Sequence, residues 1–127
     1  MAAAKQEPGD HYMRLVNLTP HEINIIARDG SAVSIPLTAP ATRCEESRSE
    51  FGTMTDEVGH SIRIIELRRG QVYDLPPVTL GVRYIVSAVV ALAQPDRTDL
   101  LVVDEIVRNG DGRVVGCRAL AYLAAAR

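Results

Sequence analysis

The stretch LLVVDEIVRNGDGRVVGCRALAYL, Leu100 to Leu123, decides the fold. Leu100 to Val107 is an apolar, β-branched run interrupted only by Asp104-Glu105, and RVVGCRALAYL downstream has the same character. Between them stands Asn109-Gly110-Asp111-Gly112. Asn and Gly tolerate positive φ, so these four residues joining two such runs form a hairpin turn, the strongest local signal in the chain. A sheet therefore lies at the centre of the fold.

Moving toward the amino terminus, Val82 to Val86 is a strand by β-branched content, and Ser87 stands where it stops. AVVALAQ then places Val89, Val90, Leu92 and Ala93 within two turns, which suits a short helix packed on the sheet and ended by Pro95. Periodicity alone leaves a longer strand open here. Further upstream, RLVNL and EINIIA are two short β-like runs separated by Thr19-Pro20-His21. Pro20 cannot donate to a ladder and biases Thr19 toward extended backbone, so the chain bends there. Arg28-Asp29-Gly30-Ser31 is a second hairpin signal, leading into AVSIPL and giving an antiparallel pair with an extra leading strand.

Between Thr38 and Gly59 the chain is polar, carries Pro40, Gly52 and Gly59, and sustains no period, so a loop or irregular edge is expected. HSIRIIEL reads as a strand with Ile62, Ile64 and Leu67 on or near the buried side. Arg68-Arg69-Gly70 is expected to turn it into a further short strand, QVYDL, which Pro76-Pro77 ends. Residues 1–12 read as a mobile tail and 13–127 as a single globular domain. The expected class is α+β: a small, mostly antiparallel β domain with hairpins and one short helix.

Composition narrows the functions. A chain of 127 residues that is 46% hydrophobic buries one compact core. One Phe, four Tyr and no Trp leave little for a base-stacking surface, and 14 Lys plus Arg against 16 Asp plus Glu create no field toward phosphate backbones. Nucleic acid is therefore not an expected partner. Cys44 and Cys117 have no CxxC partner, so reduced thiols and a cytoplasmic location are the simpler reading, with no cofactor and no metal expected. Tyr84 to Ala93, the longest apolar stretch, is about half a bilayer span, and MAAAKQEPGDHY has no hydrophobic centre, so no membrane partner is expected.

LTPHEI, YIVSAVVALA, RTDLLV and VRNGDGRVVGCRAL together resemble segments of a group of small uncharacterised phage- and prophage-associated proteins. The resemblance extends from Met13 to Leu123, although each motif alone is weak. It implies a soluble intracellular protein of a mobile element and carries over no catalytic residue. This chain departs from the pattern at Val103-Asp104, where similar sequences often have Pro-Asp, and at Leu37-Thr38-Ala39, where they often have Pro-Ser-Gly.

Seven residues are candidates for a ligand site. His21, after a proline at the mouth of a strand, can act as base, acid or anion donor, against the plainer role of a turn histidine bonded to a nearby carbonyl. His11 and His60 have no ligand spacing to it. Ser87 lies where α/β folds present small polar groups, yet Ile-Val-Ser-Ala-Val is no nucleophile elbow, and a helix N-cap is the simpler role. Arg97, Asp99 and Asp104 can clamp a phosphate or carboxylate, or an internal Arg to Asp salt bridge can merely fix the loop. Arg108 and Arg118 flank the final turn and, if they share a face, form a cationic rim with Arg97.

The expected function is non-enzymatic capture of a small anionic ligand, nucleotide-derived ones among the candidates, or of a host protein. Two alternatives stand beside it: a small hydrolase or transferase with His21 as general base, and a structural or assembly component. Homo-oligomerisation is an open outcome of a small sheet with free edges.

Overall fold

The computed structural model describes residues 12–38 and 40–124. The expected tail therefore lies almost wholly outside the described residues. Eight strands and one helix follow in order: β1 (Arg14–Asn17), β2 (Ile23–Ile26), β3 (Ala32–Ile35), β4 (Arg43–Thr55), β5 (Ser61–Tyr73), β6 (Val82–Ile85), α1 (Ala88–Ala93), β7 (Leu100–Arg108) and β8 (Val114–Ala121). The domain is β-rich with one short helix.

Six strands form one sheet in the order β1-β6-β7-β8-β2-β3. The hairpins β2–β3 and β7–β8 are antiparallel, as expected, but β1–β6, β6–β7 and β2–β8 are parallel. The main sheet is thus mixed rather than mostly antiparallel. The leading strand β1 pairs with β6 instead of its sequence neighbour β2, because the Thr-Pro-His bend carries the chain across the open end of the sheet. The two sheet edges meet through a parallel bridge between Asn17 and Leu37, with Thr38 N–H donating to Asn17 O at 2.9 Å, so the sheet nearly closes on itself.

Residue alternation divides the apolar side chains. Leu15, Ile23, Ile25, Ile35, Ile85, Cys117 and Leu120 come from strands all round the sheet and pack together inside the curl. Tyr84, Val86, Leu100 and Val102 face the other way and are covered by Val90 and Ala91 of α1 and by Cys44 and Val72. Ile85 is completely buried, worth roughly 1.5–3 kcal/mol on transfer from water.

The expected loop from Thr38 to Gly59 is instead a strand for most of its length. β4 pairs antiparallel with β5 over thirteen residues of each, forming a two-stranded ribbon outside the main sheet. The expected turn at Arg68-Arg69-Gly70 is absent too: β5 runs straight through it, with a register shift between Cys44 and Glu46. A Cβ on Gly70 would lie 2.5 Å from Glu45 Oε1, so this glycine makes room for a neighbouring side chain rather than a reversal. Ile62 and Leu67, expected on or near the buried side, are exposed because the ribbon leaves the core. A polar strand without a buried face has no alternation to read.

One turn geometry closes all three hairpins. Ala27, Asp56 and Asn109 each donate N–H to the carbonyl four residues on, and each accepts from the N–H of the glycine three residues on. Those glycines, Gly30, Gly59 and Gly112, have φ of 88°, 109° and 81°. This is the three-residue loop in which the glycine alone needs the left-handed conformation.

Candidate functional site

A concavity of about 700 Å³ opens where the parallel strands β1 and β6 end. Its walls come from the Thr19–Asn24 segment, from Val86 to Ala88, from β7 at Val102, Val103 and Ile106, and from β8 at Val114 to Cys117. The place follows from topology. β6 stops at Ile85 and turns into α1, while its neighbour β7 runs on to Arg108, so the β7–β8 hairpin projects past the end of β6. Sheets with parallel strands present ligand sites beyond their carboxyl ends.

The floor is apolar: Ile23, Val86, Val102 and Cys117 are all buried. Burial pushes the Cys117 thiol up, so it is a neutral apolar group at neutral pH rather than a thiolate. Val103, Ile106, Val114 and Val115 line the pocket while remaining substantially exposed. The polar groups sit on the Thr19–Asn24 and Ser87 side.

Asn17 builds that side. It is wholly buried, and its amide is used completely: Nδ2 donates to His21 O at 2.8 Å and to Ile35 O at 3.1 Å, while Oδ1 accepts from Thr19 N at 2.9 Å. Thr19 Oγ1 lies 2.7 Å from Asn17 Oδ1 and 2.9 Å from His21 O, and its single proton serves one of them at a time. The Asn17 side chain therefore ties β1, the Thr-Pro-His bend and β3 together and fixes where His21 stands. Nothing in the motif reading picked it out. The available signal was an Asn inside the β run RLVNL, a residue depleted in strands.

His21 and Ser87 do converge on the pocket, and both are exposed. The backbone carbonyl of His21, not its ring, makes the bonds that hold the bend. Ser87 is the N-cap of α1: its backbone is extended, at φ −69° and ψ 157°, and its Oγ accepts from Val90 N at 3.3 Å. That leaves the Ser87 hydroxyl proton free to donate toward the cavity.

The other candidates lie elsewhere. Arg97 is spent on Asp99, through Nε to Oδ1 at 2.8 Å and Nη2 to Oδ2 at 2.9 Å, and Nη2 also donates to Pro76 O at 3.0 Å. Asp99 is 2% exposed, and the guanidinium bonds hold its carboxyl below the usual carboxylate range against the opposing effect of burial. The pair fixes the entry to β7, before the strand reaches the pocket. Arg108 donates to Gly112 O within its own hairpin. It stands opposite Val114, four residues along β8 from Arg118, about 13 Å at strand rise, so the two arginines do not face each other across the turn. Asp104 is exposed opposite Ala119, and neither it nor Arg118 lines the concavity.

Gly116, also unforeseen as a site residue, lets the β8 backbone approach β2 closely. A Cβ there would lie 2.8 Å from Asn24 O. Among the described residues no cluster of three or more His, Cys, Asp or Glu is placed to hold a metal, and no helix is long and apolar enough to cross a membrane. Neither protein-family models, nor curated proteins, nor solved structures gave a match to this chain.

Proposed function

We propose that this is a small non-enzymatic binding protein whose pocket takes a mostly apolar ligand with one polar end. The observation that carries the reading is the contrast between the buried floor of Ile23, Val86, Val102 and Cys117 and the polar groups gathered on one side, at His21 and Ser87. Pockets that bind small molecules combine a large apolar surface with a few placed polar groups. Ser87 supplies a hydroxyl donor held by its capping role, and His21 supplies an exposed imidazole held by its backbone. The arginines on which an anionic ligand was expected, Arg97, Arg108 and Arg118, do not line the pocket. With Glu22 in the same lining and no arginine or lysine there, a neutral hydrogen-bonding end at His21 and Ser87 fits better than a polyphosphate. The resemblance to phage-associated proteins supplies a mobile-element setting for the activity.

Thermal shift followed by calorimetry tests the reading, with amphiphilic carboxylates, acyl amides, nucleotides and cyclic dinucleotides as probes. Ligand at 100 times Kd stabilises the native state by about 2.7 kcal/mol. The shift is expected for an amphiphile and is abolished by Val115→Trp, which fills the cavity. A flat response to every amphiphile, or an equal response from the filled variant, refutes the proposal.

A further inference from the structure

Strand β7 carries an open edge at the wall of the concavity. Its pairing with β6 stops at Ile85↔Leu101, whereas its pairing with β8 continues to Arg108. Tyr84 N–H donates to Asp99 O and Val86 N–H to Leu101 O, both at 2.9 Å, so the odd-numbered backbone groups of β7 face the β6 side. Backbone groups alternate along a strand, and Val103 C=O and Glu105 N–H come next on that side. Among the described residues neither has a hydrogen-bond partner there, because the chain leaves the line of β6 at Ser87 to begin α1. Glu105, at φ 51°, departs from extended backbone, so the open stretch is short. Val103 and Ile106, on either side of it, both line the pocket.

We infer that the ligand of this pocket is a short, extended, apolar peptide lying in the line that β6 vacates, with one N–H donating to Val103 O and the C=O of the same residue accepting from Glu105 N–H. This rests on the pocket reading above and names its ligand class. In a parallel ladder one residue of the added strand makes both bonds, continuing the step by which Val86 N–H meets Leu101 O. Backbone groups hidden from water without a partner are costly, so an apolar ligand that covers Val103 and Glu105 without bonding them is penalised. A peptide satisfies them, and its carbonyls also suit the Ser87 hydroxyl donor. Strand addition takes affinity from main-chain bonds and specificity from pockets for alternate side chains. Here the buried Ile23, Val86, Val102 and Cys117 select apolar side chains. Glu22 stands in the lining without any arginine or lysine, so lysines flanking the apolar run complement it.

Calorimetry of the full chain with acetyl-Lys-Val-Val-Val-Lys-amide tests this, against an ester analogue in which oxygen replaces the N–H of each valine. The ester keeps the shape and removes the donor to Val103 O, and is expected to bind at least about fivefold more weakly, the worth of one net hydrogen bond. On saturation with the amide peptide, hydrogen exchange at Glu105 N–H, read by NMR, is expected to slow at least about tenfold. Val115→Trp is expected to abolish both effects. Equal binding of ester and amide, unchanged Glu105 exchange in the saturated complex, or undiminished binding to the filled variant each overturns the inference, while a response to simple amphiphiles leaves the pocket reading standing. No binding of the amide peptide also overturns it, and a flat response to amphiphiles as well takes the pocket reading with it.

Discussion

Replacing Asn17 by Asp changes one atom type at the most connected point of the site. In the native amide, Nδ2 donates to His21 O at 2.8 Å and Ile35 O at 3.1 Å. A carboxylate sets a charged oxygen against both carbonyls, in a position with 0% exposure. Ile35 O loses the side-chain donor and His21 O keeps only the shared Thr19 proton. Unsatisfied buried groups cost about 1–3 kcal/mol each, so the substitution costs about 3–5 kcal/mol at neutral pH, a large share of the roughly 5–15 kcal/mol that holds a domain together. The penalty depends on pH in a defined direction. A protonated carboxyl donates to one of the two carbonyls, so the folded state favours the acid form and the folded pKa lies above the unfolded value of about 3.9. The ionisation part of the penalty is absent below the unfolded pKa, grows by up to about 1.4 kcal/mol per pH unit as pH rises, and is complete above the folded pKa, while the loss of one donor persists at every pH. Urea unfolding of wild type and Asn17→Asp in parallel, between about pH 7 and pH 4, reads the difference directly. A deficit under about 1 kcal/mol at neutral pH, or one that does not shrink on acidification, refutes the account of Asn17 as a donor to two carbonyls.

Gly116→Ala is expected to push β8 from β2 at Asn24 O and cost about 1–3 kcal/mol, seen as a Tm lower by several degrees; an unchanged Tm means the strands have room to part. Arg97→Ala leaves the Asp99 carboxylate buried without its partner and is expected to cost about 3–5 kcal/mol, measured by denaturant unfolding. Because the folded pKa of Asp99 is lowered, its stabilisation is present above the unfolded value and lost as pH falls through the folded one, so the gap between wild type and Asp99→Asn narrows in acid. Ser87→Ala removes the cap of α1 and is expected to cost about 1 kcal/mol in stability and to weaken ligand binding, whereas Ser87→Asp restores the cap without the hydroxyl donor.

The elements that were legible in the sequence are those with a buried face. β6, α1, β7 and β8 combine β-branched runs or a compact apolar turn with Pro, Ser or Gly punctuation, and they lie where that pattern places them. β1, β2 and β3 were readable as strands, but their partners were not. The pairing of Arg14–Asn17 with Val82–Ile85 depends on the closing of the sheet, which no local pattern encodes. The ribbon was missed because both its faces meet solvent for most of its length, which removes the alternation that marks a strand. Its turn was nonetheless written in the chain: Asp56-Glu57-Val58-Gly59 has the acceptor at the first position and glycine at the fourth, like Asn109-Gly110-Asp111-Gly112. Half of the site was readable. His21 and Ser87 stand out as polar residues at strand ends, while Asn17 and Gly116 act through the backbone of other segments and so leave only a depleted residue type as their trace.

The two ends of the ribbon, Arg43 and Tyr73, are paired directly across from each other. The excursion therefore departs from and returns to the body at a single doorway, and its length is independent of everything behind that doorway. Matched residues can be removed from both strands, or added, without changing the path of the chain into β6. Evolution and the protein engineer alike can thus treat the outer arm as an adjustable appendage, tuning what it reaches while the path of the chain behind it is kept.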